Sequence, residues 1–164
     1  MKLSFSLQYW KSLSWPEALA AAIDAKLTGV ELFDVNGPAF AGKDSPTNPE
    51  LAAATRRALT NRGLTLPCVD SVGDFTDQGF AAELAECLQV AVNLGVPYVG
   101  VHTDCDSQAA CVERMMGLLE IVGDAPVTLL IETTGVYADT ARLRDLLNRF
   151  ADDRLAAQIG RAHV

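Results

Sequence analysis

Basic charge is scarce in this chain. Thirteen Lys and Arg stand against 21 Asp and Glu among 164 residues, a formal charge of −8. A nucleic-acid binder needs a cationic face to neutralise phosphates, so that class is disfavoured. No apolar run is long enough for a membrane span. Met1-Lys2 leads straight into Leu3-Ser4-Phe5-Ser6-Leu7, which is too short and too alternating for the apolar core of a signal peptide. The expectation is a cytoplasmic protein with neither membrane nor nucleic acid as partner.

Cysteine is sparse as well. Cys68, Cys87, Cys105 and Cys111 contain no Cys-x-x-Cys pair, and no His is spaced to complete a zinc knuckle. Cys68 and Cys87 lie in apolar segments as small buried hydrophobes. Free thiols in a reducing compartment are expected rather than a disulfide framework. The dinucleotide fingerprint G-x-G-x-x-G is missing from the first loop. Gly37-Pro38-Ala39-Phe40-Ala41-Gly42-Lys43-Asp44 comes close to a phosphate-binding loop. However, Asp44 stands where a magnesium-binding hydroxyl is needed, and no helix opens directly behind it.

What is present is an apolar chain, 49% hydrophobic, long enough for one domain with a sizeable core. Its centre is Val127-Thr128-Leu129-Leu130-Ile131-Glu132-Thr133-Thr134-Gly135. The nearly unbroken apolar run predicts a strand buried on both faces, as in a parallel sheet. Glu132 falls at its C-terminal end, where parallel α/β folds carry their chemistry. A carboxylate at the mouth of a buried strand needs a cation, a metal or a proton to compensate it.

The remaining segments repeat this plan. Leu3–Gln8 alternates as a first strand. Ser14-Trp15-Pro16-Glu17 is a capping box opening an Ala-rich helix to about Lys26. Val30–Phe33 is a second strand and Asp34–Asn48 a loop. Thr47-Asn48-Pro49-Glu50 starts another helix, which Gly63 ends. A third strand spans Leu64–Asp70, a helix about Gln78–Leu94, a fourth strand Tyr98–His102 and a helix about Ser107–Val122. After the central strand comes a helix about Asp139–Phe150, and Leu155-Ala156-Ala157 begins a sixth strand. Strand ends at Gln8, Phe33, Asp70, His102 and Glu132 are spaced by 25, 37, 32 and 30 residues. That alternation is α/β with a parallel sheet, either an open doubly wound sheet or a (β/α)8 barrel.

The last six residues, Ile159-Gly160-Arg161-Ala162-His163-Val164, break the pattern. They match one frame of a common sequencing adapter, ATC GGA AGA GCA CAC GTC, whose next codon is a stop. The expectation is a barrel fragment over 1–158 followed by an adapter-derived tail over 159–164 that is no part of the fold.

In order and spacing the segments resemble the xylose isomerase-like barrel superfamily, and within it the sugar phosphate isomerase/epimerase group. The resemblance rests on Leu3-Ser4-Phe5-Ser6, on Gly29-Val30-Glu31-Leu32-Phe33 and on Leu94-Gly95-Val96-Pro97-Tyr98-Val99. Its most specific piece is Leu129–Gly135, followed by Asp139-Thr140 and Leu143–Phe150. It implies the first five to six βα units of an incomplete (β/α)8 barrel. It also implies that Glu132 is a metal ligand and the catalytic acid/base. The partners it implies are an Asp after the sixth strand, a His further on and a Glu at the eighth strand, none of which occurs here. The implied chemistry is proton abstraction next to the carbonyl of a sugar or sugar derivative, helped by Mn²⁺ or Mg²⁺. One carboxylate is a poor divalent site, so this chain alone is expected to bind metal weakly and to be inactive.

Other rim candidates are His102, to hydrogen-bond a substrate hydroxyl, and Glu31, mid-strand and in need of a cation or hydroxyl partner. Trp10 and Trp15 could wall a sugar site. Asp70 reads as the start of a turn and Asp104 as a capping or solvated residue. A dehydratase, lyase or hydrolase of the same fold remains open. An apurinic endonuclease fits the charge poorly. The non-enzymatic alternative is a partial barrel that self-associates through unpaired strand edges.

Overall fold

The computed structural model describes residues 2–10, 12–42 and 45–159. Six parallel strands form one sheet in sequential order. They are β1 (Ser4–Ser6), β2 (Gly29–Phe33), β3 (Cys68–Asp74), β4 (Tyr98–His102), β5 (Thr128–Glu132) and β6 (Leu155–Gln158). Helices α1 (Trp15–Asp24), α2 (Ala52–Asn61), α3 (Phe80–Leu94), α4 (Gln108–Val122) and α5 (Thr140–Phe150) connect them. Parallel neighbours need such crossovers, and strands that pair strictly in sequence order are the beginning of a barrel wall.

The helices start where the sequence supplies caps. Ser14 and Glu17 form the reciprocal box at α1, with Glu17 Oε2 accepting from Ser14 N at 2.8 Å. Asn48 accepts from Glu50 N at 3.0 Å, but the first turn there, Pro49–Leu51, is 3-10 and the α-helix proper begins at Ala52. Ser107 caps α4 and Asp139 caps α5.

Alternate strand residues face opposite ways. Val30, Leu32, Val69, Val99, Val101, Leu129, Ile131 and Leu155 belong to the core packed under the helices. Burial of that face supplies the main driving force for the fold. The opposite face carries Ser6, Glu31, Phe33, Asp70, His102, Glu132 and Gln158, and lines a cavity.

Two expectations are corrected. β5 is not buried on both faces: Leu129 and Ile131 are buried, while Thr128, Leu130 and Glu132 are half-buried. The second face looks into the open concavity of a six-stranded sheet rather than onto a helix layer. The third strand does not end at Asp70. It runs on to Asp74 through an irregularity, since Asp70 pairs with Gly100 but Asp74 with His102. Four residues there oppose two on β4, which is a bulge.

Gly37–Gly42 does not form a phosphate cradle. Pro38–Phe40 is a 3-10 turn that buries Phe40 in the core. Lys43 and Asp44 lie outside the described residues, as do residues 160–164 of the expected tail.

Candidate functional site

The C-terminal ends of the strands surround a cavity of about 430 Å³. Four carboxylate residues line it, Glu31, Asp70, Asp104 and Glu132, together with His102, Ser6, Gln8, Tyr9 and Gln158. Among the described residues no Lys or Arg lines it. The resulting field favours neutral, polyhydroxylated or cationic ligands over anions.

Asp70 is the most buried of the four, 6% exposed. Ser6 Oγ donates to its Oδ2 at 3.3 Å and Cys68 Sγ to its Oδ1 at 3.2 Å. Burial is the largest influence on the carboxyl and pushes its pKa up to about 6, with the charges of Glu31 and Glu132 adding to the rise. The two hydrogen bonds oppose that rise. The sequence places Asp70 at the end of a strand as a weaker rim candidate that starts a turn, whereas β3 continues past it to Asp74. Its period-2 placement on β3 was the available signal, masked by the bulge that follows.

Glu31 sits across the β1–β2 ladder from Ser6 and accepts a hydrogen bond from the Ser4 hydroxyl. That is the hydroxyl partner the sequence called for. Glu132 pairs in register with Gln158 at the open end of β5 and β6. His102 lies at the end of β4, opposite Asp74. The structure therefore gathers Glu132, His102 and Glu31 around one cavity. Trp10 is placed differently: it is 46% exposed and packs its ring against Phe5, with centroids 5.5 Å apart. The aromatic residues on the cavity wall are its neighbour Tyr9 and Phe33, and the sequence does not single out Tyr9, Ser6 and Gln158 as site residues.

Behind the rim, three loops are tied together. Thr103 is fully buried, and its Oγ1 donates to Asp74 Oδ2 at 3.1 Å while its backbone N–H donates to Thr134 Oγ1 at 3.2 Å. Asp104 N–H also donates to Asp74 Oδ2, at 2.6 Å. Burial works against the Asp74 carboxylate, but the bonds from Thr76, Asp104 and Thr103 hold it below its ordinary pKa. Asp104 is exposed at the rim, as the solvated alternative has it, and Ser107 rather than Asp104 caps α4. Gly135 has a φ of +50°, and a Cβ there would lie 3.0 Å from Cys105 O and would overlap Thr103 O. Glycine lets the loop after β5 sit directly on the loop after β4.

The donor set does not make a metal centre by itself. Among the described residues no three His, Cys, Asp or Glu side chains converge closely enough to hold an ion. Glu132 is a single carboxylate at the strand end, well short of the several ligands that Mn²⁺ or Mg²⁺ takes.

No family model and no curated protein matches the chain. Solved structures do. An IolI protein with a bound zinc atom superposes with a TM-score of 0.76 at 14% identity, over 96% of this chain and 62% of that one. The probable 3-DHS dehydratase AsbF from Bacillus anthracis gives 0.72 at 14%, over 96% and 62%. D-allulose 3-epimerase from Methylomonas sp. in complex with D-allulose gives 0.65 at 14%, over 96% and 61%. These likenesses show the fold, the first part of a (β/α)8 barrel: six strands and the five helices between them. This chain spans about three fifths of the length of these structures. No helix among the described residues is long and apolar enough to cross a membrane.

Proposed function

We propose that this chain supplies the first five to six βα units of a sugar isomerase or epimerase that works by proton transfer next to a carbonyl. The observation that supports it best is the convergence of Glu132, His102 and Glu31 on one cavity at the C-terminal strand ends of this fold. That face is where barrel enzymes place their chemistry. The D-allulose 3-epimerase neighbour binds a neutral sugar, which suits a cavity wall without described Lys or Arg.

In this proposal Glu132 removes the proton from the carbon beside the substrate carbonyl, leaving an enediolate. His102 and Glu31 hold substrate hydroxyls, and Ser4 keeps the Glu31 carboxylate oriented. A divalent metal, Mn²⁺ or Mg²⁺, would need ligands beyond the described set, with Glu132 the one this chain offers at the end of β5. The chain alone is accordingly inactive and binds metal weakly. The AsbF neighbour is a probable 3-DHS dehydratase, and a dehydratase of the same fold is the second reading. The wall's charge favours the neutral substrate.

The test is to re-read the source DNA past the codon for Gln158. A strand ending in Asp, followed by His and Glu at later strand ends, supports the enzyme. The longer product should then exchange the proton beside a ketose carbonyl for deuterium in heavy water, and Glu132→Gln should abolish the exchange. A frame that stops after Val164 defeats the enzyme for this product. It would leave the non-catalytic half-barrel, whose β1 and β6 edges would pair between copies.

A further inference from the structure

The outer surface of α2, α3 and α4 is uncharged along its middle and oppositely charged along its two flanks. Helix α3 presents Ala82, Ala85, Gln89 and Val92, all exposed and spaced by three and four residues, as one stripe. Val92 is 44% exposed, and Ile121 at the end of α4 is 37% exposed. A groove of about 200 Å³ runs between them, floored by Leu88 and Ala125. On one flank, α2 carries Arg56 and Arg57 with Arg62 after its end, all exposed, and no Asp or Glu within Ala52–Asn61. On the other flank the exposed charges of α4 are Glu113 and Glu120, because Arg114 is half-buried and turns its guanidinium to Asp77 O. None of these five exposed side chains is in an ion pair among the described residues. Any further βα units of a barrel would join at β6 and β1 and leave this face uncovered.

We propose that this face docks a second copy of the chain, about a two-fold axis that passes through α3 between Gln89 and Val92. The three helices run in the same sense, since each returns from one parallel strand to the next. A two-fold axis perpendicular to their layer therefore sets α3 antiparallel on α3 and lays α2 of each copy over α4 of the other. The basic flank meets the acidic flank twice. The axis at Gln89–Val92 puts Arg57, midway along α2, level with Glu120, in the last turn of α4. Small and apolar side chains fill the centre, and the unlike charges form the rim.

The charge pattern selects a second copy as the occupant. Each chain carries −8 overall, so a docking that opposes unlike charges locally is what offsets the general repulsion between copies. Helices of 15 residues are about 22 Å long, and three of them at about 10 Å spacing offer about 650 Å² per copy. That is the low end of a specific interface, so the dimer is reversible and concentration-dependent. This inference is independent of the chemistry proposed for the cavity.

Sedimentation velocity across a concentration series tests it, on the parent chain and on two charge reversals, Glu120→Arg and Arg57→Glu. The parent should pass reversibly from monomer to dimer and stop there. Either reversal alone sets like charges opposite one another twice, and should weaken the dimer by about tenfold or more. Mixing the two variants restores unlike charges at both contacts, so the mixture should dimerise as the parent does; misfolded variants could not give that result. Val92→Glu, in the centre of the face, should leave the chain monomeric and not be rescued by either partner. A parent that stays monomeric throughout would overturn the proposal. So would self-association indifferent to both reversals and to Val92→Glu, which is what pairing of the β1 and β6 edges would give, or reversals that weaken the dimer without rescue on mixing.

Discussion

The carboxylate of Asp70 occupies the space that a side chain on Gly100 would fill. The two residues are paired across β3 and β4, and a Cβ on Gly100 would overlap Asp70 Oδ1 and approach Gln158 Oε1 to 3.2 Å. Gly100 is therefore what allows a buried carboxylate into the cavity floor. Gly100→Ala is expected to cost about 1–3 kcal/mol, the usual range for overpacking. In an Asp70→Ala background the same change should cost much less. A double-mutant cycle by urea unfolding measures the coupling; equal costs in both backgrounds would separate the two residues.

Asp70 also sets a pH dependence. Its folded pKa of about 6 lies above the ordinary 3.8, so between these values the folded state holds the proton more tightly than the unfolded chain. The stability from this group is fully present below about pH 4 and is lost as pH rises through about 6. Asp70→Asn mimics the protonated form. It should stabilise the protein at neutral pH by at most about 3 kcal/mol, and leave it unchanged near pH 4. Unfolding curves at both pH values check this, and a variant less stable than the parent at neutral pH would contradict it.

Arg154 joins β6 to the end of α4. Its guanidinium donates to Leu119 O at 3.1 Å and Gly123 O at 3.0 Å, and grips Asp152 through Nε at 2.9 Å and Nη2 at 2.6 Å. Lysine cannot reproduce that fork, so Arg154→Lys should lower the melting temperature by several degrees. The hydrogen bonds from Arg154 hold the Asp152 carboxyl down to about 2. Its contribution is present above the ordinary 3.8 and lost as pH falls through about 2. The melting temperatures of parent and variant should therefore converge under strong acid. An unchanged gap at the lowest pH would show that Asp152 has no part in it.

Much of this architecture is legible from the chain. Apolar runs that stop at Phe33, His102 and Glu132 mark true strand ends, because a buried parallel strand leaves the core only at its rim. Ser14, Ser107 and Asp139 mark helix starts because their oxygens satisfy exposed N–H groups. The concave face was harder to see. Leu130 beside Leu129 and Ile131 hides the alternation of β5, and only the open sheet shows that one face is half-solvated. The burial of Asp70 is hidden because Ser71-Val72-Gly73 reads as a turn, whereas the chain bulges and continues to Asp74. Trp10 looked like a wall of the site, but one residue separates a side chain on the cavity, Tyr9, from one packed on Phe5. Carboxylates at strand ends are visible in sequence; which of them share a cavity depends on register.

The most direct test of Glu132 as the reactive carboxylate is to follow Mn²⁺-induced broadening of backbone amide signals, in the chain and in Glu132→Gln. The expected result is weak, poorly saturating broadening centred on Glu132 and its cavity neighbours Gln158 and Glu31, and its disappearance in the variant. Broadening that centres on other acidic residues, or that is unchanged by Glu132→Gln, would contradict the assignment of Glu132.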